Sequence, residues 1–282
     1  MPIFTTPEPI TVQLDVLAGD VRISASHRTD TGVDVLPANP DSEPDRRAAA
    51  NTRVEYANGR LTITTPKTKS LGLFGKAGMV DVAIELPAGS HLRGSVGAGS
   101  VRSEGQLGEC HIKTGAGELQ LEWTGPLDAH TGAGGVAVDH VSGPAEVQTG
   151  TGRVRLGQVE GTAVVKNSNG DTWIGVVGGE VRANTANGDI RVDHAGGDVT
   201  ASTARGDVLV GGLNRGSATL STSFGRVEAG ISAGTAANLD VQTKFGRVDN
   251  QLTAADRPEP TDQTVMVRAR TSFGDIVIHR TH

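Results

Sequence analysis

The sequence predicts an all-β chain folded as a parallel β-solenoid, a β-helix with coils of about 18 residues, and three observations lead there. One is a recurring phrase: Thr-Gly-Ala-Gly at 114–117 and again at 131–134, Thr-Gly-Thr-Gly at 149–152, Asn-Ser-Asn-Gly at 167–170 and Thr-Ala-Asn-Gly at 185–188. Its last glycines, extended to both sides, are Gly99, Gly117, Gly134, Gly152, Gly170, Gly188 and Gly206, at steps of 18, 17, 18, 18, 18 and 18 residues. Gly225, Gly246 and Gly274 follow at the looser steps of 19, 21 and 28. The second observation is that apolar residues stand in fixed columns relative to these anchors. The third is composition: 39 glycines among 282 residues, 3% aromatic residues and three methionines suit a core of small β-branched side chains rather than a helical one.

The columns define the coil. Two residues after the anchor stand Val101, Leu119, Val136, Val154, Thr172, Ile190, Val208, Val227, Val248 and Ile276. Four after it come Leu121, Val138, Leu156, Ile174, Val192 and Val210 among others, and a second apolar pair stands seven and five residues before it, as Val181 and Ala183 do for Gly188. Alternation over such short runs is the mark of half-buried strands, so each coil is two strands joined by glycine turns. An antiparallel meander alternates equally well but has no reason to repeat residue identity at a fixed offset. Propeller blades need roughly 40–45 residues, too many for this period. In stacked parallel coils about 4.8 Å apart, like residues lie over one another. The threonines three before the anchor (114, 131, 149, 185, 203, 222, 243 and 271, with Asn167 once) are therefore expected to pass hydrogen bonds from one to the next.

Residues 1–90 carry strand signals without the regular period and are read as an N-terminal β cap continuous with the solenoid of 91–282. Ile10–Val16 alternates strictly, Leu17–Ile23 follows, and Gly32–Leu36 ends at Pro37. The polar stretch 37–50, with three prolines, is a loop whose Asp45–Ala50 end suits a helical turn. Arg53–Tyr56 and Arg60–Thr64 flank Asn58-Gly59, which supplies the two positive φ angles of a type I′ hairpin turn. Lys67–Gly78 is a loop with an apolar tip at Leu71–Phe74, and Val80–Leu86 is a strand stopped by Pro87. At the other end the long step from Gly246 to Gly274 holds Arg257-Pro-Glu-Pro260, an excursion before the strand Asp275–His279.

Several phrases together resemble a bacterial β-strand-repeat family of unknown function often labelled “putative adhesin”: Ala18-Gly-Asp-Val-Arg-Ile23, Ile84-Glu-Leu-Pro87 leading into the repeats, and Asn187-Gly-Asp-Ile-Arg-Val192 within them. The resemblance covers nearly the whole chain. It implies a right-handed β-helix and carries no catalytic residues with it.

Charge and composition exclude some classes of function. The net charge is −6 with acids and bases mixed, which leaves no basic block for nucleic acid. No apolar run of about 20 residues calls for membrane insertion. The single cysteine, Cys110, excludes an internal disulfide framework, and the opening residues lack a basic and apolar leader, so a cytoplasmic protein is expected. Gly132-Ala-Gly134-Gly-Val-Ala137 fits a dinucleotide fingerprint formally, yet a strand follows where pyrophosphate binding needs a helix N-terminus. His140 and His194 share a column three coils apart, and His111 and His130 sit at offsets differing by two; no metal, cofactor or catalytic set is expected from them.

Two rows depart from the pattern of the fold. Asp171, Asp189 and Asp207 follow their anchors in consecutive coils, flanked by Arg153 and Arg226; carboxylates so stacked repel unless a cation or base lies among them. Phe224, Phe245 and Phe273, three of five phenylalanines, precede theirs, and in register they form an aromatic stack on the outside of a turn. With the loop tip at Leu73 and Phe74 they make the candidate contact surface. The expected function is a non-enzymatic interaction or scaffold module with a protein partner. Self-association into end-to-end filaments through strand edges, and a carbohydrate-binding or carbohydrate-active β-helix, are the alternatives.

Overall fold

The computed structural model describes residues 2–66, 78–252 and 263–281. These fall into two compact units, Met1–Ser142 and Gly143–His282. Both are built of parallel strands stacked in two sheets, as the period requires.

In unit 1 the chain forms β1 (Ile3–Thr5), β2 (Thr11–Ser26), β3 (Asp30–Pro37), helix α1 (Glu43–Ala50), β4 (Arg53–Ala57), β5 (Arg60–Thr64) and β6 (Val80–Pro87). The repeats continue as β7 (His91–Ala98), β8 (Val101–Gln106), β9 (Cys110–Ala116), β10 (Leu119–Thr124), β11 (Leu127–Ala133) and β12 (Val136–Val141). One sheet runs β4-β5-β2-β7-β9-β11 and the other β1-β3-β6-β2-β8-β10-β12. The stretches read as two separate strands, 10–16 and 17–23, are the single strand β2, which serves both sheets. It changes sheet at Gly19, whose φ of +149° turns a corner, so that Val12, Leu14 and Val16 are buried before it and Val21, Ile23 and Ala25 after it. Gly19 thus does the work of an anchor glycine inside the segment read as cap, and Val21 and Ile23 register with Val101 and Ser103 of the first regular coil.

The outermost layer of unit 1 is antiparallel. β4 pairs with β5 through the Asn58-Gly59 turn, with φ of 51° and 72°, as the hairpin reading requires. β3 runs antiparallel to β6, and β1 antiparallel to β3. The ring of Phe4 on β1 meets Tyr56 on β4, centroids 5.2 Å apart, closing the gap between the two sheet edges.

Unit 2 consists of β13 (Ala145–Thr151), β14 (Val154–Val159), β15 (Ala163–Asn169), β16 (Thr172–Val177), β17 (Val181–Asn187), β18 (Ile190–Ala195), β19 (Val199–Arg205) and β20 (Val208–Leu213). Then come β21 (Gly216–Phe224), β22 (Val227–Ser232), β23 (Thr235–Phe245), β24 (Val248–Asn250), β25 (Gln263–Phe273) and β26 (Ile276–Thr281). Among the described residues its pairings are all parallel, in the orders β13-β15-β17-β19-β21-β25-β23 and β14-β16-β18-β20-β22-β26-β24. The last coil in sequence is therefore not last in space: β25 and β26 slot between their predecessors and β23 and β24. Val265, Val267, Ala269, Ile276 and Ile278 are consequently sealed on both sides and buried.

The anchor glycines hold the corners. Except at Gly246, their φ angles lie in the left-handed region, +138° at Gly188 for example. A Cβ on Gly188 would lie 2.2 Å from the carbonyl oxygen of Gly170 in the next coil, closer than any side chain permits.

The threonine column corrects one expectation. The threonines do register with one another, Thr203 with Thr185 and with Thr222. In the later coils of unit 2 their hydroxyls donate not to each other but to an anchor-glycine carbonyl of the adjacent coil: Thr203 to Gly188 (3.1 Å), Thr222 to Gly206 (2.8 Å), Thr271 to Gly225 (3.0 Å) and Thr243 to Gly274 (2.9 Å), whereas the buried hydroxyls of Thr114, Thr131 and Thr185 have no hydrogen-bond partner among the described residues. The corner carbonyl lacks a ladder partner and is the stronger acceptor, so it captures the proton. Asn167 fits the same place because its amide has two protons, given to Gly152 (3.0 Å) and Gly170 (2.9 Å).

Candidate interaction surface

The phenylalanine row sits at the corners of unit 2 where β21, β25 and β23 end. Register sets Phe224 against Phe273 and Phe273 against Phe245. Their centroids are 4.9 Å apart at both steps, with interplanar angles of 2° and 10°. That distance is the spacing of parallel strands, so the backbone ladder dictates the stack. The spatial order is 224, 273, 245 rather than the order of sequence, because the last coil is inserted. The rings remain 51%, 47% and 65% exposed respectively. Position in the strand explains this: the residue before the anchor lies at the turn, where side chains leave the core.

Cations lie near the row in register and in sequence, and of these sequence reading noted only Arg226, beside the aspartates. Arg205 is the register neighbour of Phe224, Lys244 precedes Phe245, and Arg226 and Arg247 follow the anchors Gly225 and Gly246. Arg226 pairs with Glu228 at 3.3 Å. Counting offsets from the anchors would have placed all four beside the phenylalanines. Leu73 and Phe74, the other apolar candidates, lie outside the described residues.

The aspartate row has an internal explanation. One carboxylate oxygen of each residue accepts a backbone N–H from the next coil: Asp171 from Asp189 (3.2 Å), Asp189 from Asp207 (2.8 Å) and Asp207 from Arg226 (2.7 Å). Asp275 does the same for Arg247 (2.7 Å), and in unit 1 Asp20 does it for Ser100 (2.8 Å). Arg153 approaches Asp171 at 3.7 Å, at the end of the row. Donated backbone protons, with Arg153 at one end, thus offset part of the stacked charge.

Unit 1 assembles one titratable cluster that the column arithmetic anticipated only in part. His111 registers with Asp128 across adjacent coils and contacts it at 3.2 Å through Nδ1, while Nε2 contacts Glu109 at 2.6 Å. His130 Nε2 lies 2.8 Å from the other Asp128 oxygen, and Arg93 reaches Glu109 at 3.1 Å. The Glu109 carboxylate foremost, then Asp128, raises the His111 pKa above its usual value. His111 and Arg93 hold Glu109 below the usual carboxylate range. Among the described residues no group of three His, Cys, Asp or Glu side chains is placed to hold a metal ion. Burial pushes the Cys110 thiol up to about 12, which leaves it protonated and unreactive. No helix among the described residues is long and apolar enough to cross a membrane. Gly132 and Gly134, from the formal dinucleotide fingerprint, close β11 and turn toward β12, a solenoid corner.

No curated protein matches the chain. Among solved structures, one described as a “putative lipid binding protein” from Parabacteroides distasonis is 9% identical, with a TM-score of 0.43, and covers 100% of this chain and 96% of its own. A “putative adhesin” from Bacteroides fragilis is 14% identical, TM-score 0.35, over 98% and 95% of the two chains. Another “putative adhesin”, from Parabacteroides merdae, is 11% identical, TM-score 0.34, over 100% and 95%. The profile of the Toastrack DUF4097 family spans residues 10–279, from the first buried residue before β2 to within the final strand, and the chain belongs to that family.

Proposed function

We propose that the protein is a non-enzymatic interaction module that binds a protein partner through the aromatic corner of unit 2. The observation behind this reading is the ladder of Phe224, Phe273 and Phe245, exposed despite its size, with Arg205 the register neighbour of Phe224 and with Lys244 and Arg247 close to Phe245 in sequence. Large exposed aromatics with neighbouring arginines are the residue types from which binding energy is built. A partner with an apolar segment bordered by acidic residues fits this surface. The residues that recur most regularly serve the fold, since the glycines, threonines and aspartates all close the corners. No column is left over that converges on a reacting atom.

The test is a triple variant, Phe224→Ser, Phe245→Ser and Phe273→Ser, with folding verified by circular dichroism. Proteins recovered with the wild-type chain by cross-linking in lysate should be lost with the variant, and an unchanged set would overturn the reading. Defined steady-state turnover of any substrate would overturn its non-enzymatic part. The reading includes a cytoplasmic setting, in keeping with a lone, buried and free Cys110. Cell fractionation that finds the protein in the membrane or the medium would refute that setting.

A further inference from the structure

The outer layer of unit 2 ends on two strand edges with core residues between them. Among the described residues, β23 pairs only with β25, and β24 only with β26. Ala237, Leu239 and Val241 occupy the columns of Val265, Val267 and Ala269, yet they are half-buried where those three are sealed. Val248, in the column of the buried Ile276, is 44% exposed. Apart from the exposed Asp240 and Lys244, the features that usually blunt an edge are missing from this strand. β23 is 11 residues long, contains no proline or glycine, and carries no charge at the core positions Ala237, Leu239, Val241 and Thr243.

We propose that this end pairs with the same end of a second copy, β23 antiparallel to β23 about a two-fold axis at Gln242. Two arguments select a second copy over a peptide. Two open edges flank the exposed core, and a single added strand can satisfy only one of them. A two-fold axis lying normal to the sheets sets each edge against its own equivalent in one operation and joins the two cores. Charge then selects the register. Any axis through a residue keeps core face against core face, because paired residues have the same parity. An axis at Asp240 sets that carboxylate against its own copy. An axis at Gln242 instead sets Asp240 against Lys244, twice, with Val241 facing Thr243 and Leu239 facing Phe245. Lys244 has no ion pair among the described residues, and Asp240 is held at hand by Arg268 (3.3 Å) and Arg270 (2.7 Å) of its own β25. The contact is isologous, so it consumes both open ends and stops at the dimer.

Sedimentation velocity of the full chain over a concentration series tests the proposal. The wild type should show a single monomer–dimer equilibrium. Val241→Lys puts a charge into the joined core and should weaken association by more than about tenfold. Gln242→Cys, on the axis, should form an intermolecular disulfide on mild oxidation, whereas Thr219→Cys on the outer face of β21 should not. A monomer at every concentration would overturn the proposal, and is the result expected if residues 253–262 of the same chain cover the edge. Open-ended oligomers would overturn it in favour of filaments. Should Val241→Lys fail to fold, failure of Gln242→Cys to cross-link would be equally decisive.

Discussion

The outermost layers of the two units solve the same problem in opposite ways. Unit 1 finishes with antiparallel strands, a tight hairpin and the Phe4–Tyr56 contact between its two edges. Unit 2 finishes with parallel strands whose far edges have no partner among the described residues and whose core columns stay half-open. In unit 2 the coil that comes last in sequence lies one layer in from that edge, whereas in unit 1 the first strand, β1, is itself an edge strand paired with β3. β2 lies between β5 and β7 in one sheet and between β6 and β8 in the other, while β25 and β26 lie one layer in. A strand paired on both sides cannot open without breaking two ladders, so β2, β25 and β26 are each held more firmly than the edge strands outside them. The lesson is that order in the sequence and order in the stack are set independently.

The largest effect expected within this comparison separates interior corners from edge turns. Gly188→Ala forces a Cβ onto the Gly170 carbonyl at a positive φ and should cost about 3–5 kcal/mol by urea denaturation. Gly234→Ala, in the turn before β23 where nothing lies within 4 Å, should cost about 1 kcal/mol. Equal losses would mean that the corners are not the rigid part.

Next comes burial. Leu14→Ala in the doubly paired β2, where Leu14 is 1% exposed, should cost about 3 kcal/mol. Leu239→Ala on the open edge should cost about 1 kcal/mol. If Leu239 proves as costly as Leu14 at high protein concentration but not on dilution, the edge is covered by a second copy.

Cys110 reports on unit 1 alone. Buried and held protonated, it should resist alkylation in the native state and react only as fast as the unit opens, as followed by mass spectrometry. Prompt labelling would show that the antiparallel layer does not hold unit 1 closed.

The smallest effects are electrostatic and of opposite sense in the two units. His111 has a raised folded-state pKa, so its stabilising contribution is full below the unfolded value and is lost as pH rises through the folded pKa. Asp240 is lowered, chiefly by its hydrogen bond with Arg270, so its contribution is present above the unfolded value and lost as pH falls through the folded one. NMR titration of His111 should show a raised midpoint that drops in Glu109→Gln. An unmoved midpoint would remove Glu109 as the cause.

Much of this was legible from residue spacing. The anchors, both apolar columns, the Asn58-Gly59 hairpin and the phenylalanine stack follow from offsets, because a parallel register puts equal offsets in contact. Reading fell short where a contact depends on which group accepts a proton. Spacing aligned the threonines but did not reveal that the corner glycine carbonyl, poor in partners, draws the hydroxyls of the later ones. The aspartates likewise looked like a row of repelling charges until backbone N–H donors were seen at each of them. Arg205 and Lys244 were missed because their columns hold other residue types in earlier coils, and Arg247 because its column, shared with Arg153 and Arg226, was read only against the aspartates.

The sequence by itself determined the coil: two short strands, a corner where only glycine fits, and columns of like residues, all consequences of local sterics and side-chain parity. Only the tertiary structure decided the order in which coils stack. Gly19 joins the anchors from 80 residues before Gly99, and Phe273 lies between Phe224 and Phe245, because any coil of matching register can pair with any other. Column identity is blind to neighbour order. The choice is made by packing between whole coils, which residue type within a column does not encode.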